Sequence, residues 1–287
     1  MPFGMSMSPK LVVIDNNVYI GGGVLAGEKS HMVVVYNLHS LLWGELPKYE
    51  YSAFGMAEID KQLVVIGGVR SDHKTNILGV WDEKEGSWTH PFPPMPTPRN
   101  SPSAVSYYCW LVVAGGFDSA YAHTSEVEIL NTITREWYKA APLPIGCSHA
   151  SSVVVGNMWY LLGGNYERNC NEKSSFSVCL NTLLFDTISH TPSKSSLWQA
   201  LPDPPLRAAS VSTVKGTLLV VGGRHDDYGS DPESAIYLFK PSNKSWIKIG
   251  DLPTGRAKCG CTVLPTGEVF VAGGFDSSQR VDIATVI

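Results

Sequence analysis

Charge is scarce in this chain, and there is no basic excess. Lys, Arg, Asp and Glu make up 17% of its 287 residues and leave a formal net charge of −4. Such a balance suits neither nucleic acid nor an anionic bilayer, whose binding rests on clustered Lys and Arg. Long apolar runs are missing as well. None approaches the roughly 20 residues that cross a bilayer as a helix, so no membrane partner is expected. The opening Met1-Pro2-Phe3-Gly4-Met5-Ser6-Met7-Ser8-Pro9 puts no basic segment before an apolar core and does not read as a signal peptide.

Metal chemistry is poorly provided for. The six cysteines (Cys109, Cys147, Cys170, Cys179, Cys259 and Cys261) include no C-x-x-C pair. Cys259-x-Cys261 would turn two thiols to one face of a strand, but no matching pair follows to complete a zinc set. Reduced thiols in a cytoplasmic protein are the expectation. Cys170 and Cys179 fall in one stretch read as a long loop, and their redox state stays open. The eight His are scattered, with no H-x-H and no H-E-x-x-H. No metal and no cofactor is expected.

Glycine, by contrast, is plentiful, with 27 residues beside 19 prolines. Many short strands joined by turns would use both. Six glycine pairs recur: Gly21-Gly22, Gly67-Gly68, Gly115-Gly116, Gly163-Gly164, Gly222-Gly223 and Gly273-Gly274. Their first members stand 46, 48, 48, 59 and 51 residues apart. Each of the first five pairs is followed by a tryptophan: Trp43, Trp88, Trp137, Trp198 and Trp246. Four of these lie seven residues after Tyr36, Trp81, Leu130 and Phe239, and Trp198 lies thirteen after Phe185.

The third unit reads most cleanly. Residues 103–107 form a short strand, and Trp110-Leu111-Val112-Val113-Ala114 form a continuous apolar one ended by the glycines. Glu126-Val127-Glu128-Ile129-Leu130 alternates, and Glu136-Trp137-Tyr138-Lys139 makes a fourth strand. An apolar run of this kind is expected where both faces of a strand are covered. Glycines follow it where a backbone needs close approach or positive φ. The tryptophan fills the wedge that opens as sheets radiate from an axis. The glycines and tryptophans are therefore expected to be structural, not a cofactor box.

The period, the glycine pair, the aromatic and the tryptophan together resemble the kelch repeat over essentially the whole chain. Boundary phrases such as Met95-Pro96-Thr97-Pro98-Arg99 and Leu252-Pro253-Thr254-Gly255-Arg256 add to the likeness. The resemblance implies an all-β fold, a six-bladed kelch β-propeller with four antiparallel strands per blade, in one domain spanning 1–287. Counting from the boundaries, the last blade is expected to lack its outer strand, as if the chain were excised from a longer one. Edge-strand association at that blade is a further expectation.

Propellers of this type put two sets of loops at one end, those after the glycine pairs and those between blades. In the kelch adaptors of cullin ubiquitin ligases, which this chain resembles in its repeats, that face forms a shallow polar pocket for peptides. The matching positions carry Arg70, Asp118, Tyr166, Arg224, His225, Phe275 and Asp276 after the glycines. Between blades they carry Arg99, Ser101, His149, Arg207, Arg256 and Lys258. The arginines suit a carboxylate or phosphate, and the aromatics suit interface anchors. The competing role for Arg99, Arg207 and Arg256 is to bridge adjacent blades to backbone carbonyls or to Asp118 and Asp276. Ala53, Ala209 and Gly23 interrupt the ring of polar positions.

Kelch-like propellers also include enzymes. The sequence has no E-x-x-x-D-x-x-x-H iron signature and no S-x-D-x-G-x-T-W box. His149, His225 and Asp226 are the remaining acid–base candidates, should they converge over the channel. The reading is a non-catalytic module that binds a protein or peptide, such as the substrate-recognition part of an intracellular adaptor in a ubiquitin ligase. The alternative is a sugar-directed enzyme of the epimerase or mutarotase kind.

Overall fold

In the computed structural model, residues 5–25, 28–71, 73–166, 177–181, 199–201, 209–225, 231–240, 242–276 and 284–286 are described. They form strands and turns, with no helix among them. Five four-stranded antiparallel sheets and one three-stranded sheet follow each other along the chain, each in simple up-and-down order. Their first strands are Lys10–Ile14, Gly55–Ile59, Ser103–Tyr107, Ser151–Val155, Ser210–Val214 and Gly260–Val263. Each of these touches the next, and Gly260–Val263 touches Lys10–Ile14. The sheets thus stand around one axis with their first strands inward, which is a β-propeller.

The second strands explain the apolar runs. Leu111, Val112, Val113 and Ala114 are all buried on Trp110–Ala114. Leu111 and Val113 pack against Ile59, Val64 and Ile66 of the second sheet, while Val112 and Ala114 pack against Trp159 and Leu161 of the fourth. A strand between two sheets needs apolar side chains on both faces, so alternation disappears.

The seven-residue spacing to tryptophan is a hairpin register. Tyr36 pairs with Trp43, Trp81 with Trp88, Leu130 with Trp137 and Phe239 with Trp246. Each indole is half-buried against the preceding sheet. Two of them also tie sheets by hydrogen bonds: Trp88 Nε1 donates to Pro47 O at 2.8 Å and Trp137 Nε1 to Pro93 O at 3.0 Å. Trp198 lies outside the described residues.

The glycine pairs are docking points between consecutive sheets. Gly68, Gly116 and Gly223 donate their N–H to Arg99 O, Cys147 O and Arg256 O of the following boundary, at 2.9, 2.7 and 2.8 Å. Gly67 has a φ of 63°, and a Cβ there would run into the Arg99 carbonyl. Gly116 has a φ of 103°, and its Cβ would stand 2.6 Å from Asn100 O. Any side chain would push neighbouring sheets apart.

The fourth sheet corrects one expectation. Its third strand is Ser177–Asn181, so Cys179 belongs to a strand, paired with Tyr160, and not to a loop. In backbone register Leu180 pairs with Trp159 as Leu130 pairs with Leu111. Leu180 therefore stands at the third-strand register position, and the extra residues follow that strand in sequence. Cys170 and Phe185 lie outside the described residues.

The sixth sheet joins the first through apolar packing of Leu264, Phe270 and Ala272 on Val18, Ile20 and Val34. Its third strand, Ala284–Val286, pairs with Val269–Ala272 and has no second neighbour among the described residues.

Candidate binding face at the channel mouth

The two loop sets meet at one end of the channel and pair with each other. Ser52 bridges Val69, Asn100 bridges Phe117, and Ala257 bridges Phe275. In the fourth sheet this pairing lengthens into Cys147–Ser148 against Asn165–Tyr166. In the first, Met5–Met7 pairs with Val24–Leu25. Among the described residues, five of the six sheets thereby carry a small backbone ladder on this end, which holds their loops.

A second regularity lies just inside. Ser8, Ala53, Ser101, His149 and Lys258 all take left-handed backbone, with φ between 50° and 58°. Each sits two residues before an inner strand and turns the chain into the channel. Such a conformation costs roughly 1–2 kcal/mol for a residue with a Cβ, so its recurrence needs compensation. The compensation is a chain of inter-sheet hydrogen bonds: Ser101 N to Ala53 O at 2.6 Å, His149 N to Ser101 O at 3.1 Å and Ser8 N to Lys258 O at 2.7 Å. The last of these links the first and sixth sheets. Ala53 therefore continues the ring in its backbone while contributing no polar group. Ser8 belongs to the same set and was missed by sequence reasoning, although it stands two residues before its strand as Ser101 does.

The arginines divide into two kinds. Arg99 is 0% exposed. Its Nη2 lies 2.8 Å from Glu128 Oε2, and Nη1 donates to Gly115 O at 3.0 Å and Glu126 O at 2.8 Å. Glu128 also accepts from the Thr97 hydroxyl at 2.6 Å. Burial lowers the Arg99 pKa, opposed by Glu128 and Glu126. Arg256, at the same place in its repeat, is 2% exposed, and burial likewise lowers its pKa, against Cys259 and Asp276. Both guanidinium groups are therefore closed off from the open face. The expectation that they present to a ligand is corrected, because the boundary buries both under the loops, where Arg99 ties to the third sheet through Gly115, Glu126 and Glu128.

The other kind is less buried, Arg70 exposed and Arg224 half-buried. Arg70 pairs with Glu50 at 3.1 Å across open surface. Arg224 Cζ stands 4.5 Å over the Phe275 ring, a cation–π contact that holds both on the face. Phe117, at the repeat position of Phe275, packs on His123 at 4.5 Å and His149 at 5.8 Å. Asp118 folds its own loop, its Oδ1 accepting from Ala120 N and Ala122 N at 2.8 and 3.0 Å. Asp276 and Lys258 are half-buried beside this face.

The acid–base candidates are engaged at separate places. His149 Nδ1 is 3.0 Å from Ser148 Oγ at the mouth, while His225 is 60% exposed and lies 3.1 Å from Glu233. Asp226 and Arg207 lie outside the described residues, as does the Tyr166 side chain. What the structure brings together is a rim of Ser8, Ser101, His149 and Lys258, flanked by Phe117 and the Arg224–Phe275 pair. Donors, a cation and aromatic faces in a shallow ring suit a peptide better than a deep apolar ligand.

Residues 8–195 match the KLHDC2/KLHL20/DRC7 Kelch-repeats domain, and residues 205–253 match the Kelch motif. The chain belongs to the kelch-repeat family. It is similar to Kelch-like protein 23 of Homo sapiens, 22% identical over 246 residues that cover 84% of this chain and 40% of that protein. Kelch domain-containing protein 3 of Bos taurus is 24% identical over 305 residues, covering 94% of this chain and 77% of that protein. The chain spans about 40% of the length of the first curated relatives it matches. Among solved structures, that of YjhT shares the fold with a TM-score of 0.77 at 16% identity, over 100% of this chain and 96% of the other.

Proposed function

We propose that the chain is a six-bladed kelch propeller that works as a non-catalytic protein- or peptide-binding module. The six successive contacts between inner strands support the blade count. The observation that carries the function is the rim. Five blades spend backbone strain to set one residue each at the channel mouth, and inter-blade hydrogen bonds fix that ring. A preorganised rim lowers the ordering cost of binding a partner. Relatives in the Kelch-like group suggest the setting of an intracellular adaptor, such as the substrate-recognition part of a ubiquitin ligase. The free thiols Cys109, Cys147, Cys259 and Cys261 are in keeping with a reducing, cytoplasmic location.

Affinity capture with paired variants tests the reading. His149→Ala with Lys258→Ala and Arg224→Ala should release a partner that the wild type retains. Tyr108→Ala, whose ring is 86% exposed on an inner hairpin turn, should keep it. Equal capture by both variants would place the contact elsewhere and end the rim hypothesis.

A further inference from the structure

Six residues open the inner strands: Lys10, Gly55, Ser103, Ser151, Ser210 and Gly260. Five are glycine or serine. The sixth is a lysine, which reaches across the channel to donate from Nζ to Ala150 O of the fourth sheet at 3.2 Å. An ammonium has three N–H donors and needs an anion or several acceptors when it leaves water.

The surroundings offer hydroxyls but no counter-charge. Lys10 lines a cavity at the mouth with Ser8, His149, Ser151 and Lys258, and a deeper one of about 70 Å³ with Ser103, Ser152 and Ser210. No Asp or Glu lines either cavity among the described residues. The thiols cannot serve as anions at neutral pH, since burial pushes Cys147 up to about 12 and Cys259 up to about 11. Burial also lowers Lys10 to about 8, which leaves most of it charged at neutral pH. Two of the hydroxyls beside Lys10 are held in place by neighbours. Ser103 Oγ donates to Ser152 Oγ at 2.8 Å, leaving the Ser152 proton for another acceptor. Ser210 Oγ accepts from Cys261 N at 2.8 Å, which fixes its oxygen beside the cavity.

We propose that the propeller channel is a binding site for one small oxyanion, a phosphate or a carboxylate group, held by Lys10 Nζ and the hydroxyls of Ser151, Ser152 and Ser210. The deeper cavity has the room of about two waters, which such a group would displace. Lys258 and His149 at the mouth would draw the anion in. Sequence carries a signal for this site: one long cation at a repeat position that is otherwise small.

The groups that hold the anion are distinct from the rim residues of the partner reading, although His149 and Lys258 border both, and the test uses only the anion and the full chain. Phosphate and acetate are titrated separately into protein in chloride buffer, by calorimetry and by the Lys10 side-chain Cε resonance. Saturable binding should move that resonance and raise the pH at which it titrates. A response to phosphate alone or to acetate alone identifies which oxyanion the channel prefers. Lys10→Met should weaken binding by about tenfold or more, the scale of one charge-assisted contact, and Ser152→Ala should weaken it less. Should Lys10→Met fail to fold, the wild-type resonance still decides. A Lys10 resonance unmoved by either anion, or undiminished binding by folded Lys10→Met, would overturn the proposal and leave Lys10 as a plug between blades.

Discussion

Replacing Glu128 by leucine tests the buried bridge between the second and third blades most directly. Arg99 and Glu128 side chains are both 0% exposed, and their contact is 2.8 Å. Water therefore neither screens the pair nor replaces a lost partner. Removing one member of such a pair costs about 3–5 kcal/mol, because the other charge stays buried. Against a total stability of roughly 5–15 kcal/mol, that is a large share. Arg99→Met should cost a similar amount, since Glu128 would keep only Thr97. The double variant removes both charges. What then remains unpaired is Gly115 O and the Thr97 hydroxyl, at about 1–3 kcal/mol each. It should fall short of the sum of the single costs by about 3 kcal/mol or more. Urea unfolding measures this through the midpoint at constant slope. Strict additivity, or a Glu128→Leu cost below about 1 kcal/mol, would refute a desolvated pair and return Arg99 to the surface.

Three further outcomes are expected. Trp137→Ala should destabilise by about 2–4 kcal/mol, somewhat less than a fully buried ring, because the indole is half-buried yet packs on the second blade and donates to Pro93 O; an unchanged urea midpoint would show that it fills no wedge. Lys10 titrates near 8 in the folded chain against an ordinary 10.5, so the unfolded chain binds more protons between those values and stability rises with pH there. Wild type should gain on Lys10→Met from about pH 8 to 10, a difference that cancels the buried thiols, and parallel pH curves would contradict it. Alkylation should reach Cys109, on a turn and partly exposed, before the buried Cys147, Cys259 and Cys261, whose pKa values burial raises; mass mapping of the first labelled thiol checks this.

Much of the architecture follows from local chemistry that one chain can display. The seven residues from Tyr36 to Trp43 or from Leu130 to Trp137 are the length of a hairpin that puts the two opposite each other. The glycine pairs mark where a Cβ would strike the next blade, as at Gly67 and Gly116. These features repeat because every blade meets the same neighbours. The fourth blade escaped the count because an insertion shifts spacing without marking which side of a strand it falls on, and only pairing of Leu180 with Trp159 settled that.

The face was less legible. Arg99 and Arg224 are the same residue type, and both stand in loops at one end of the channel. One is buried because Glu128, 29 positions later in sequence, folds beneath it. The other stays out over Phe275, 51 positions away. Lys10 has nothing in its own segment to mark it, and its importance comes from five other strands that offer glycine or serine at the same level of the channel. By itself the sequence determined the repeating unit, because strand pairing and wedge filling depend on near neighbours in the chain. Burial, charge pairing and the contents of the channel were decided by the tertiary structure, because closing the ring brings together residues from opposite blades and removes them from water.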